Sequence, residues 1–153
     1  MTNEFQKPFA PPPAIFGVTL LVGLGIDLIF PLPVMPLVFQ LGSGMIAVTT
    51  GVLVICSSMK SIHRAGTTYN PYSASTALVT SGIYQYTRNP GYLGLAVIQF
   101  GLALIIDSLW IAISTVVAVF VIDQFVIKLE EEKLGRTFGQ QYQDYLAQVR
   151  RWI

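Results

Sequence analysis

The chain has 153 residues, one domain's worth, with 53% hydrophobic and only 11% charged residues. Soluble domains carry about 25% charged residues, so this chain has too little charge to coat a water-facing surface and reads as an all-α integral membrane protein. A net charge of +1 gives no field for nucleic acid, one cysteine (Cys56) excludes an internal disulfide, and one histidine (His63) excludes a multi-histidine metal site.

Residues 1–13 are polar and then proline-rich, without the basic region and cleavage site of a signal peptide, and read as a short cytoplasmic tail. A membrane span needs about 20 apolar residues. Ala14–Phe30 is the first candidate, bounded by Pro11-Pro12-Pro13 and Pro31. Leu37–Cys56 is the second, and its Ser43, Ala47 and Gly51, at four-residue steps, invite close approach of another helix. A connection over 57–88 follows, rich in turn formers such as Gly66, Asn70-Pro71 and Ser81-Gly82. A loop this long in a small chain is more often functional than filler. Asn89–Ile106 and Ser108–Leu129 are the third and fourth spans, turned at Asp107 into a hairpin over 89–129. Residues 130–153 read as cytoplasmic helices, broken at Phe138-Gly139. The last is amphipathic, with Tyr142, Tyr145, Leu146 and Val149 on one face, and Trp152 suits a membrane interface.

The links Pro31–Pro36 and Asp107 contain no Lys or Arg, so all 9 basic residues fall on the other side of the spans. That asymmetry predicts four spans with both termini and the 57–88 loop cytoplasmic. The whole chain, 1–153, is expected to form a single domain.

Two clusters can carry chemistry. In Arg88-Asn89-Pro90-Gly91-Tyr92, Asn89 is a good N-cap and Pro90 suits the first helical position. Free N–H groups there, beside Arg88, form an anion site; the plainer reading is a capped helix with an interfacial Arg. In Glu130-Glu131-Glu132, the hairpin brings Glu130 to the depth of Arg88, and Asp123, seven residues earlier, shares its helix face. An acid within a span usually faces a cavity or a partner; the plainer reading of the glutamates is a solvated helix end. Together the clusters suit a ligand bearing both a carboxylate and a cation. Candidate catalytic groups are Asp123, Glu130 and Arg88.

Taken in order, Leu78–Tyr84, Arg88–Gly94, Glu130–Leu134 and Phe138–Tyr142 resemble the integral-membrane methyltransferases that include isoprenylcysteine carboxyl methyltransferase and the phospholipid methyltransferases. The likeness runs over residues 75–151. It implies S-adenosylmethionine as methyl donor, in keeping with the absence of a glycine-rich nucleotide loop after a strand. Carried over by position, the cofactor contacts would be Ala77, Leu78, Val79, Tyr84, Asn89, Pro90, Gly91, Tyr92 and Glu130, with Arg88 alongside. Many members have His where this chain has Asn89. Val126 stands where the isoprenylcysteine enzymes carry a basic residue facing the substrate, which argues against a carboxylate acceptor. The resemblance implies a lipophilic small-molecule or lipidated acceptor drawn from the membrane. Phospholipid N-methylation and a non-catalytic four-span scaffold are the alternatives.

With Cys56 replaced by Ser, a cysteine placed at Val34 should react with an impermeant thiol reagent applied from outside intact cells. One at Gln140 should not. Labelling of the Gln140 position from outside would overturn the orientation.

Overall fold

The computed structural model describes residues 10–66 and 77–153, which form helices and turns with no strand among the described residues. Helix α1 (Pro12–Ile29) opens with proline in its first turn, where a missing N–H costs nothing. Helix α2 (Leu37–Arg64) follows the Pro31, Pro33 and Pro36 link. It runs eight residues beyond the expected end at Cys56, so the loop predicted from residue 57 begins only after Arg64. A short 3₁₀ turn (Gly82–Gln85) precedes α3 (Pro90–Ile106) and α4 (Leu109–Ile122). A π-helical turn (Asp123–Ile127) continues α4 directly into α5 (Lys128–Phe138). Gly139, at φ 52° and ψ −124°, breaks the chain before α6 (Gln140–Gln148), in a conformation that glycine adopts without Cβ strain.

Three helices are long and apolar enough to cross a membrane: α1, α2 and the continuous Leu109–Phe138. The fourth expected span, α3, has 17 residues and is about 26 Å long by helix rise, slightly short of a hydrocarbon core of about 30 Å. Outward-facing Leu28 and Val38 are each 85% exposed. Continuous apolar surface of this kind belongs against lipid, not water.

Helix α2 packs on α3, α1 packs on α4, and α3 and α4 form the hairpin turned at Asp107. One end of the bundle, the turn end, holds the α1–α2 link and the Asp107 turn. There the Asp107 carboxylate accepts from the Val34 and Met35 N–H groups at 2.9 Å each, and from Gln40 Nε2 at 3.1 Å. Asp107 adopts φ 58°, a left-handed conformation that Asp tolerates better than most side chains. Ser108 accepts from the Ile111 N–H, capping α4, and donates to Asp27 Oδ1 at 2.7 Å. The other, basic end carries the start of α3, the end of α4, and α5.

The tightest contact is between α2 and α3. A Cβ built on Gly51 would lie 2.6 Å from the Gly94 carbonyl oxygen, and one on Gly94 2.8 Å from that of Gly51. Gly44 and Gly101 are related in the same reciprocal way, at 2.8 and 3.0 Å. The expected ladder of Ser43, Ala47 and Gly51 is therefore corrected to Gly44 and Gly51. The seven-residue step brings both back to the face that meets α3, whereas Ser43 bonds the Phe39 carbonyl of its own helix.

A leucine at Gly94 would push these backbones apart. Overpacking of a tight contact costs about 1–3 kcal/mol or more, so Gly94→Leu should lower the thermal unfolding midpoint of the purified protein. Gly17→Leu, placed where a Cβ meets nothing within 4 Å, should leave it nearly unchanged. An unchanged midpoint for Gly94→Leu would mean that the glycines do not set this spacing.

Candidate functional site

The basic end gathers the charged side chains that the bundle partly buries. The Arg88 side chain, 13% exposed, donates from Nη2 to Glu131 Oε1 at 2.8 Å. Its Nε is buried and has no acceptor among the described residues. Asn89 stands at the N-cap of α3, but its side chain does not cap the helix: Nδ2 donates to the Arg151 carbonyl at 2.9 Å. Thr87 Oγ1 accepts from the Asn89 N–H at 3.2 Å instead. Pro90 takes the first helical position as expected, and Gly91 lies against Ser58. One residue on, the buried Tyr92 hydroxyl donates to Glu130 Oε1 at 2.7 Å.

The sequence placed Asp123 and Glu130 on one helix face, because seven residues make nearly two α-turns. The π-turn overturns that pairing. A π-turn closes i to i+5 hydrogen bonds and so takes up one extra residue, shifting the shared face from the seventh residue to the eighth. Asp123 therefore lines up with Glu131, and Glu130 turns toward Tyr92. Arg151 joins the aligned pair: its Nε and Nη2 bind Glu131 side-on, and its Nη1 reaches Asp123 Oδ2 at 3.2 Å. Trp152 Nε1 donates to Asp123 Oδ1 at 2.9 Å, and Gln124 Nε2 donates to Oδ2. Asp123 is thus engaged by three side chains rather than facing an open polar cleft. Val126, which the resemblance puts at a substrate-facing position, is 0% exposed and packs in the core with Ile15, Phe16 and Ile122.

A tyrosine cluster backs this charge chain. Tyr142 and Tyr145 of α6 pack with Val149, Leu78 and Leu134. Tyr145 donates to the Tyr84 carbonyl at 2.7 Å, and the Tyr84 hydroxyl meets Ser58 Oγ at 2.9 Å. Burial raises the Tyr84 phenol, against the lowering effect of Ser58, and the Glu130 carboxylate adds to the rise. Burial, with Glu131 next, pushes Tyr142 up to about 12. Burial raises Tyr145 as well, reinforced by Tyr84 and Tyr142. The hydrogen bonds from Arg151 to Glu131 hold the Arg151 guanidinium still more firmly charged.

Of the residues singled out in the sequence, the structure joins Tyr92 to Glu130, bonds Arg88 and Asn89 to the Arg150 and Arg151 carbonyls, and leaves Ala77, Leu78 and Val79 half-buried, with Leu78 packed against α6. Arg151 and Ser58 did not stand out in the sequence, Glu131 was read only as a member of the glutamate run, and Trp152 only as an interface residue. An Arg-Trp pair following the amphipathic helix was the one available signal, and Trp152 reads equally well as an interface anchor.

Residues 39–141 match the model of the family described as phospholipid methyltransferase, about two thirds of the chain. No curated protein matches it.

The tyrosine cluster gives the site a defined alkaline limit. A phenol whose folded pKa lies above its ordinary value near 10 stabilises the fold fully below pH 10, and the stabilisation is lost as pH rises through the folded value, about 12 for Tyr142. Unfolding midpoints should stay level to about pH 10 and then fall. Tyr142→Phe should flatten that fall; an equally steep fall in the variant would show that Tyr142 is not its source.

Proposed function

Because the chain belongs to the phospholipid methyltransferase family of integral-membrane methyltransferases, we propose that it transfers a methyl group from S-adenosylmethionine to a lipophilic, membrane-borne acceptor. The observation that carries this reading is the buried Arg88 Nε with no acceptor among the described residues. Buried N–H groups are nearly always satisfied, and a ligand carboxylate is the acceptor a guanidinium binds best. Tyr92 stands four residues further along, on α3, and its hydroxyl bonds Oε1 of Glu130 on α5.

S-adenosylmethionine fits this pairing, since it bears a carboxylate and cationic groups and, when bound, supplies a methyl already activated on a positive sulfur. The chain then needs to bind and orient rather than to activate. Arg88 would hold the carboxylate. Glu130, kept in place by the Tyr92 hydroxyl, would hold the opposite pole, and Ala77–Val79, Tyr84 and Asn89–Gly91 would line the rest. Fixing two reactants in line is itself a large source of rate. With Asp123 already bound by Arg151, Trp152 and Gln124, no general base is assigned.

Lipophilicity of the acceptor is supported by the position of the site at the bundle end and by an apolar groove between α3 and α4. Ala96, Phe100, Ala112 and Val116 line that groove, which begins one turn below Tyr92. With Val126 buried, no basic side chain at that position greets a carboxylate, so an isoprenylcysteine carboxyl is the less favoured acceptor within this class. The asymmetry of Lys and Arg supports a cytoplasmic basic end.

Calorimetry on the purified protein should detect S-adenosylhomocysteine binding. Glu130→Gln should weaken it about ten- to a hundredfold, the equivalent of one charge-assisted hydrogen bond. Equal affinity in a folded Glu130→Gln variant would remove Glu130 from the site. No binding to the parent protein would favour the scaffold reading.

A further inference from the structure

The charge chain links four separate segments of the molecule. Its members are Asp123 on the π-turn, Arg151 after α6, Glu131 on α5 and Arg88 before α3. Glu131 Oε1 is shared: it accepts Arg88 Nη2 at 2.8 Å and Arg151 Nε at 3.0 Å. Among the described residues Glu131 is the one side chain that the Arg88 guanidinium bonds, so the rotamer that leaves Nε directed at a ligand depends on where Glu131 stands. Glu131 in turn is gripped side-on by Arg151, a planar two-bond contact that fixes orientation as well as distance.

The backbone around Arg151 is tied to the same segment. The Arg88 N–H donates to the Arg150 carbonyl at 3.1 Å, and the Arg151 carbonyl accepts from Asn89 Nδ2 and Thr87 Oγ1. The Arg151 main chain therefore sits on the segment that opens α3, while its side chain reaches across to Asp123. That reach requires Asp123 and Glu131 to present to the same side, which the π-turn achieves.

We propose that Arg151 is a positioning residue for the methyl-donor site: seated between Asp123 and Glu131, it fixes Glu131 and, through Glu131, sets the Arg88 guanidinium for the donor carboxylate. This rests on the reading of Arg88 as a donor contact and adds to it a residue that need not touch the donor. Arg151 acts on Arg88 only through the shared carboxylate. Its contribution to donor affinity disappears when Arg88 is removed, whereas a merely structural brace would act whether or not Arg88 is present.

A double-mutant cycle on the full chain in lipid nanodiscs tests this, with S-adenosylhomocysteine as the titrated probe and S-adenosylmethionine kinetics alongside. Arg151→Gln should weaken S-adenosylhomocysteine binding about tenfold, as expected for loss of a charge-assisted contact, and should raise the KM for S-adenosylmethionine more than it lowers kcat. In an Arg88→Ala background the same substitution should change affinity less than about twofold. If Arg151→Gln does not fold, Arg151→Lys replaces it, since a lysine keeps the charge but not the side-on pair. Affinity unchanged by either Arg151 variant, or an equal loss with and without Arg88, would overturn the proposal while leaving the donor site intact. No S-adenosylhomocysteine binding by the parent protein would overturn the donor reading and this inference with it.

Discussion

At Gly44, Gly51, Gly94 and Gly101 the backbones of α2 and α3 come into direct contact, and any side chain there would collide with a carbonyl oxygen of the opposite helix. This close approach fixes the depth and rotation of α3 against α2. It thereby sets where α3 begins, and the residues that begin it are Arg88, Asn89, Pro90 and Tyr92. Ser58 of α2 meets both Gly91 and the Tyr84 hydroxyl in consequence. Between helices in lipid, packing of small residues replaces the hydrophobic drive that operates in water, so the position of the site is inherited from glycine contacts on the far face of α3.

Against this fixed helix, the continuous run from α4 into α5 brings its acids with an altered register. An uninterrupted α-helix would offer Asp123 and Glu130 together. With one residue taken up by the π-turn, Glu131 takes the place beside Asp123, and Glu130 is released to Tyr92. Two carboxylates of one run thus acquire different partners: Glu131 meets two guanidinium groups, and Glu130 meets the Tyr92 hydroxyl. These ion pairs are half-buried, with the Glu131 side chain 18% exposed, so solvent screens them less than it screens surface pairs. Removing one partner would leave the other with an uncompensated charge.

Much of this was legible in composition and spacing. Low charge and apolar runs marked the helices, Pro90 marked the start of α3, and Gly139 marked the break between α5 and α6. The order of the four motifs pointed to a membrane methyltransferase, and the match over residues 39–141 places the chain in that family. The parts that were not legible have physical reasons. A π-turn has no sequence signature in Asp-Gln-Phe-Val-Ile, so the pairing of Asp123 with Arg151 could not be read from periodicity. Asn89 looked like a side-chain cap because Asn so often is one, but the Arg151 carbonyl competes for its amide. Helix α2 outran its apolar stretch because Ser57, Ser58 and Lys60 are compatible with a helix emerging from lipid. The partnership of Arg88, Glu131 and Arg151 spans 63 residues of chain, and no local pattern encodes it.

On the proposed reading, the charged bundle end moves a methyl group onto a molecule drawn from the membrane. Incubation of the purified protein with methyl-labelled S-adenosylmethionine and a total membrane lipid extract tests it most directly. Label should appear in the organic phase on an amphiphile that can be isolated and identified, and Glu130→Gln should reduce it in proportion to the lost donor affinity. Label that stays entirely with the donor, or that passes equally well to water-soluble analogues lacking an apolar tail, would contradict the account.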